Sequence, residues 1–271
     1  MARSDNILST HRNDAKCGVL YPFDIHTSRP TGFLPARGHA LTILNSDRIA
    51  QLLDRLHREA ETNDSALIAD MTARMSAPGG SVEDIAAQMI ADERADYRSV
   101  YSGHAGNFLA VTPAYGRFLY AMARAAKATR IVEFGTSMGI STVYLAAAIR
   151  DNGGGIVIGS ELEAGKVARA REHLDAAGLA DLVDIREGDA LETLRDIDGE
   201  VDLVHLDGAW SLYLPVLKLI APRLRPGTAI LAENAFAADY LDYVNDPANG
   251  YIAQVLPIDE GRGNTFAVKV A

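Results

Sequence analysis

The chain has 271 residues, 48% of them hydrophobic, enough to bury a full core as one α/β domain with an accessory segment. Its 36 acidic and 26 basic side chains give a net charge of −10, which argues against nucleic acid and anionic membrane as partners, since phosphate binding needs a basic patch. The lone Cys17 excludes an internal disulfide, the Cys/His spacing of a zinc site is absent, and no run suits a signal peptide or a bilayer span, so the expectation is a cytoplasmic protein.

Residues 1–45 are polar and irregular, punctuated by Pro22, Pro30, Gly32, Pro35 and Gly38. They read as an extended arm. Tyr21, Phe23 and Phe33 leave open whether the arm is solvated or packs on the body or on a second subunit.

Residues 46–127 read as a helical accessory or lid region. Ile49, Leu52, Leu53 and Leu56 recur at helical spacing behind Ser46 and Asp47 as caps. Pro78-Gly79-Gly80 is a break, and Ser81-Val82-Glu83-Asp84 starts a further helix through Ile85, Met89 and Ile90. Thr112-Pro113 opens another, with Thr112 as cap and Pro113 in the first turn.

From residue 128 to 271 strands and helices alternate. Strands are expected at 130–134, 156–160, 182–186, 201–206, 228–232, 251–257 and 264–270, with helices near 140–150, 164–177, 190–196 and 212–221. Ile156-Val157-Ile158 and Val201-Asp202-Leu203-Val204 are apolar enough for central parallel strands. The last two strands have no helix between them and read as an antiparallel hairpin. The expected architecture is α/β: a doubly wound, seven-stranded, mostly parallel sheet with an N-terminal helical segment.

The most informative stretch is Val132-Glu133-Phe134-Gly135-Thr136-Ser137-Met138-Gly139-Ile140-Ser141-Thr142. A strand breaks into a glycine turn and a helix starts at once, so positive φ, close backbone approach and free N–H groups coincide. The spacing Glu-x-Gly-x-x-x-Gly departs from the G-x-G-x-x-G of pyrophosphate-binding dinucleotide folds. A carboxylate beside the glycines suits a cofactor with a cationic amino-acid tail and ribose hydroxyls, as S-adenosylmethionine (SAM) has. Further acids follow at successive strand ends: Glu161, placed for ribose hydroxyls; Asp189 before Ala190, placed for an adenine amino group; Asp207; and Glu233 before Asn234. Ligands of doubly wound sheets bind at those ends.

On these motifs, residues 105–270 resemble a class I SAM-dependent methyltransferase of the catechol O-methyltransferase-like, small-molecule O-methyltransferase family. The resemblance implies a cofactor site made by Val111, Glu133, Gly135, Thr136, Ser137, Gly139, Ser141, Glu161, Asp189, Ala190 and Asp207. It further implies one divalent cation, Mg²⁺, on Asp207, Glu233 and Asn234, which would acidify an acceptor hydroxyl. A small-molecule substrate and a homodimer are the expected partners.

Two positions depart from the family. Glu233 stands where Asp is usual, and Trp210 where the family has its general-base Lys. Trp210 and the aromatic arm suggest an aromatic or apolar acceptor, as in secondary metabolism. Asp207, Trp210 and His104 are the catalytic candidates, with His26 and His205 as alternative proton acceptors. Transfer to nitrogen or carbon, a SAM-dependent role without methyl transfer, and an NAD(P)-binding oxidoreductase on a related sheet stay open as alternatives.

Overall fold

A computed structural model describes residues 42–77, 79–259 and 262–271. Nearly all of the expected arm, with Cys17 and His26, lies outside the described residues.

Three helices precede the sheet's own helical layer: α1 (Asp47–Asn63), α2 (Ser65–Ser76) and α3 (Val82–Ser102). The expected caps are present. Ser46 accepts from the Ile49 N–H and Ser81 from the Asp84 N–H, satisfying donors that a helix start leaves free. The chain breaks between α1 and α2 at Asp64, which sequence spacing does not reveal because apolar residues recur on both sides. Helix α4 (Pro113–Ala125) follows with Thr112 as its cap, accepting from the Tyr115 N–H, and Pro113 in the first turn.

The βα alternation then runs β1 (Arg130–Phe134), α5 (Ile140–Asp151), β2 (Ile156–Glu161), α6 (Ala164–Ala177), β3 (Val183–Glu187), α7 (Ala190–Thr193), β4 (Val201–Leu206), α8 (Tyr213–Ile220) and β5 (Leu224–Ala232). Helix α9 (Ala238–Asn245), to which the sequence reading assigned no element, precedes β6 (Tyr251–Val255) and β7 (Thr265–Lys269). The seven strands lie in the order β3-β2-β1-β4-β5-β7-β6. β1 to β5 are parallel, and β7 pairs antiparallel with both β5 and β6. Strand order therefore reverses between β1 and β4, whose carboxyl ends open a crevice.

Each sheet face carries its own core. Helices α1, α4, α5 and α6 pack on one side around Ile49, Leu119, Ile131, Leu145 and Leu174. Helices α7, α8 and α9, with Ile90 of α3, cover the other around Val132, Val204, Leu217 and Tyr240. Helix α5 is buried from Ile140 to Ile149, lying between the sheet and its neighbouring helices, which explains its Ala-rich sequence. Helices α1 and α4, and α3 through Ile90, thus share their cores with the sheet and position its crevice. No helix among the described residues is long and apolar enough to cross a membrane.

Asp202 ties the far end of the sheet. Its Oδ2 accepts from the N–H groups of Thr129 and Arg130, and its Oδ1 from Arg225 at 2.6 Å. Burial pushes this carboxyl up, but the Thr129 N–H, Arg225 and Arg130 N–H outweigh it and hold it below its ordinary 3.8. Its contribution is therefore complete above that value and is lost as pH falls through the folded pKa. Asp202→Asn is expected to cost about 1.5–3 kcal/mol at neutral pH. Urea titrations of both proteins should show the difference shrinking on acidification, and a constant difference would contradict the assignment.

Candidate active site

The glycine turn between β1 and α5 is fixed from two sides. The N–H groups of Gly135 and Thr136 both donate to Ser160 O at 3.1 Å, joining the turn to β2. Gly135 has φ +93, and a Cβ there would stand 2.2 Å from Asp207 O, so only glycine fits against the end of β4. Gly139, at φ +86, is the N-cap residue of α5.

Glu133 is placed differently from the expectation. It is buried beneath the turn, where Oε1 accepts from Ser141 Oγ (2.7 Å) and Oε2 from Thr142 Oγ1 (2.6 Å) and Thr136 Oγ1 (3.1 Å). His205 Nδ1 lies 3.5 Å from Oε1. The carboxylate braces the loop from inside and does not line the cleft, because four polar partners hold it there. Thr136 and Ser141, expected to contact the cofactor, spend their hydroxyls on Glu133, although both residues still line the cleft.

The cleft sits outside β1 and β4, as the strand order requires. Its larger part encloses about 600 Å³, including space open to solvent, between Gly135, Glu161, Asp189, Asp207 and Tyr101. A smaller part of about 230 Å³ continues past Ser137 to Val111 and Met138. Gly135, Ser137, Leu109 and Asp207 belong to both, so one elongated ligand can occupy the two.

Glu161, at the end of β2, is the best-oriented polar group of the cleft. Its Oε2 accepts from the Ser137 N–H at 2.7 Å and its Oε1 from the Glu163 N–H at 2.9 Å. Each oxygen keeps a lone pair, the arrangement that a pair of vicinal hydroxyls needs. Burial pushes this carboxyl above its ordinary 4.5, opposed by the Glu163 N–H and by Lys166. Lys166, missed in the sequence, is itself buried and lines the cleft; burial lowers its pKa while Glu161 raises it.

Asp189 lines the cleft, but its oxygens are largely engaged. Oδ1 accepts from the Leu191 N–H, and Oδ2 accepts at 2.5 Å from both Tyr97 Oη and Arg98 Nη2 of α3. Burial pushes the Asp189 carboxyl up, and Tyr97, Arg98 and the Leu191 N–H together bring it below its usual range. Helix α3 is therefore latched onto the cleft wall. A second latch is Glu93, fully buried, whose Oε1 accepts from Tyr101 Oη and whose Oε2 accepts from the Ser211 N–H. Burial holds the Glu93 carboxyl above its ordinary value, against the hydrogen bonds from the Ser211 N–H and Tyr101.

Asp64, at the break between α1 and α2, shapes the opposite wall. Oδ1 accepts from the Phe108 N–H (2.9 Å) and Asn107 Nδ2 (3.0 Å), and Oδ2 from the Leu109 N–H (2.8 Å). Leu109 is thereby held at φ +49, a strained conformation for a branched side chain. The same loop offers Phe108 O to Ser137 Oγ at 2.6 Å, linking the helical region to the glycine turn. Asp64→Ala leaves two backbone donors unpaired and is expected to cost about 2–4 kcal/mol. Cofactor affinity should fall with stability in paired calorimetric and urea titrations; affinity unchanged within error would detach this loop from the site.

The remaining candidates separate into two groups. Asp207 lines the cleft, and its carboxyl lies within hydrogen-bonding reach of Glu233; burial and that neighbouring carboxylate push it well above its usual range. Glu233 is buried, with Oε1 3.2 Å from Arg262 Nη1. Asn234 sits at φ +50, its N–H donating to Asn264 Oδ1. By contrast, His104 and His205 line neither part of the cleft. His205 is buried near the carboxyl end of β4 against Tyr115 and Glu133, and His104 Nδ1 lies 3.4 Å from Asn107 Oδ1. Trp210 starts a 3-10 turn, and its indole packs edge-on to Phe236 at 5.2 Å between centroids, outside the residues lining the cleft.

A mostly parallel seven-stranded sheet with an antiparallel final hairpin, a glycine turn after β1 and an acid ending β2 define a Rossmann-like methyltransferase fold. Residues 132–235 match the methyltransferase domain family. The chain is 33% identical over 130 residues to a catechol O-methyltransferase of Niastella koreensis, covering 46% of this chain and 58% of that one. It is 30% identical over 147 residues to a catechol O-methyltransferase of Mycobacterium tuberculosis, covering 54% and 66%. The matches thus span less than two thirds of either relative. A putative O-methyltransferase from Klebsiella pneumoniae superposes with a TM-score of 0.56 at 24% identity, over 80% of this chain and all of that one. An O-methyltransferase from Streptomyces achromogenes, solved with SAM, does so with a TM-score of 0.55 at 24% identity, over 60% of this chain and 82% of that one. Over residues 132–235 the chain is thus similar to methyltransferase domains, and over about half its length to catechol O-methyltransferases.

Proposed function

We propose that this protein transfers the methyl group of SAM to a hydroxyl oxygen of a small molecule. The observation that carries the reading is Glu161, held by two backbone N–H groups at the β2 end, beside a glycine turn packed closely against the end of β4. In this reading Glu161 accepts the ribose hydroxyls, and Leu162 and Ala190 flank the adenine in the larger part of the cleft. The methionine end follows Ser137 and Val111 into the smaller part.

The chain's work is then placement. Gly135 and Asp207 meet where the two parts join, so a sulfonium methyl there faces the end of β4. Holding methyl donor and acceptor in line supplies roughly 7–11 kcal/mol of the barrier. The latched helix α3 excludes water from the adenosine side through Tyr97 and Tyr101.

The family resemblance calls for Mg²⁺ on Asp207, Glu233 and Asn234, and the residues present do not fit it well. Mg²⁺ demands near-ideal octahedral geometry, yet Glu233 is one methylene longer than the usual Asp and already faces a guanidinium. No step is therefore routed through a metal. An acceptor that is already acidic, or a nitrogen nucleophile with a free lone pair, agrees with the absence of a side-chain base at Trp210, and this favours nitrogen as the second reading.

Labelled-methyl transfer from SAM to a panel of phenols, catechols and aromatic amines tests the proposal, oxygen-linked product being expected. Because Trp210 packs on Phe236 outside the residues lining the cleft, Trp210→Lys should give no gain in turnover. A Lys variant faster by about tenfold or more, the low end of what a general base supplies after losses in placement, would show that the missing base limits the wild type.

A further inference from the structure

The acid pair at the ends of β4 and β5 already has a cation of its own. Glu233 is 1% exposed, and Arg262 Nη1 forms an ion pair at 3.2 Å with its Oε1, a buried oxygen that accepts no hydrogen bond. Arg262 comes from the segment between β6 and β7 and is only 26% exposed along its side chain. The neighbouring Asn264 is fully buried and locks this segment to the site: its Oδ1 accepts from the Asn234 N–H at 3.0 Å, and its Nδ2 donates to Ile258 O. The Ala235 N–H also donates to Gly263 O. The guanidinium is thus delivered by a segment bonded through Gly263 and Asn264 to the backbone that follows Glu233.

A buried carboxylate pair needs a compensating positive charge, and an arginine is charged at any accessible pH. A divalent ion on the same oxygens would have to displace Arg262 or share the pair with it against charge repulsion. We infer that Arg262 takes the place of the divalent cation at Asp207 and Glu233, so that this methyltransferase binds no metal there. The inference rests on the methyltransferase reading for where a metal would be expected, and on the ion pair for what stands there instead.

The test is Mn²⁺ binding followed by electron paramagnetic resonance, on wild type, Arg262→Gln and the double variant Arg262→Gln/Glu233→Gln. Calorimetric binding of S-adenosylhomocysteine (SAH) on the same samples reports separately whether the cofactor site is intact. The wild type is expected to show no Mn²⁺ site at millimolar concentration. Arg262→Gln should gain one, bound roughly tenfold or more tighter, as removal of one adjacent positive charge at a partly buried site allows. The double variant should lose it again. Wild-type Mn²⁺ binding that disappears in Asp207→Asn would overturn the inference. So would an Arg262→Gln protein that folds, binds SAH and gains no metal. Should Arg262→Gln not fold, the comparison of wild type with Asp207→Asn decides alone, an Asp207-dependent Mn²⁺ signal overturning the inference and its absence supporting it. Loss of SAH binding in the wild type would instead count against the cofactor reading and leave the Mn²⁺ result to stand for the ion pair.

Discussion

Replacing Glu161 with alanine is expected to weaken SAM and SAH binding by roughly 30- to 150-fold, about 2–3 kcal/mol. The loss is large because the two N–H groups that orient the carboxylate, from Ser137 and Glu163, are left aimed at nothing while the ribose hydroxyls lose their acceptor. Burial holds this carboxyl above its ordinary 4.5, so the acceptor form is depleted on mild acidification. Wild-type affinity should accordingly begin to fall while pH is still above that value, whereas the alanine variant should lack this dependence. Calorimetry across pH separates the two proteins. Equal affinities would remove Glu161 from the site.

The second large effect concerns stability. Glu133→Ala is expected to cost about 3–5 kcal/mol, the range for removing one partner from a buried, charged hydrogen-bond network. Three hydroxyls, those of Thr136, Ser141 and Thr142, would lose their acceptor in a region without water to replace it. Glu133→Gln keeps one carbonyl oxygen and should fall between. A shift in urea midpoint at constant slope reads the change directly. Near-wild-type stability combined with abolished SAH binding would mean that Glu133 acts on the cofactor after all.

These two glutamates show what a sequence can and cannot say. Both end a strand beside the glycine turn, and both were legible as members of a cofactor constellation. Their division of labour was not, because it depends on which face of the strand end each occupies. Glu133 lies on the inward side, with Thr142 and His205, and Glu161 opens on the cleft. The sheet itself was legible because buried parallel strands leave apolar runs such as Ile156-Val157-Ile158, and because the final hairpin lacks a helix between its strands. One helix escaped: α9 has eight residues, directly after the irregular turn that follows Asn234.

Other residues were invisible for a different reason. Asp64, Glu93 and Arg262 act on partners 44, 118 and 29 positions away, Phe108, Ser211 and Glu233. Each looks locally like a solvated charge on a helix or in a turn. Only packing of α1, α3 and the β6–β7 segment against the sheet's carboxyl edge turns them into supports of the cleft. Asp64 left one trace, since aspartate disfavours a helix interior and competes for backbone donors. Trp210 was legible as a departure from the family's Lys, and its ring finds Phe236 as partner.

The central claim is that the cleft outside β1 and β4 holds SAM, and a crystal structure of the complex with SAH tests it most directly. The account predicts ribose hydroxyls on Glu161, adenine beside Leu162 and Ala190, the homocysteine end running past Ser137 toward Val111, and Glu133 still enclosed by its three hydroxyl donors. Density for SAH away from Glu161, or a cleft that refuses SAH and takes NAD(P) instead, would contradict it.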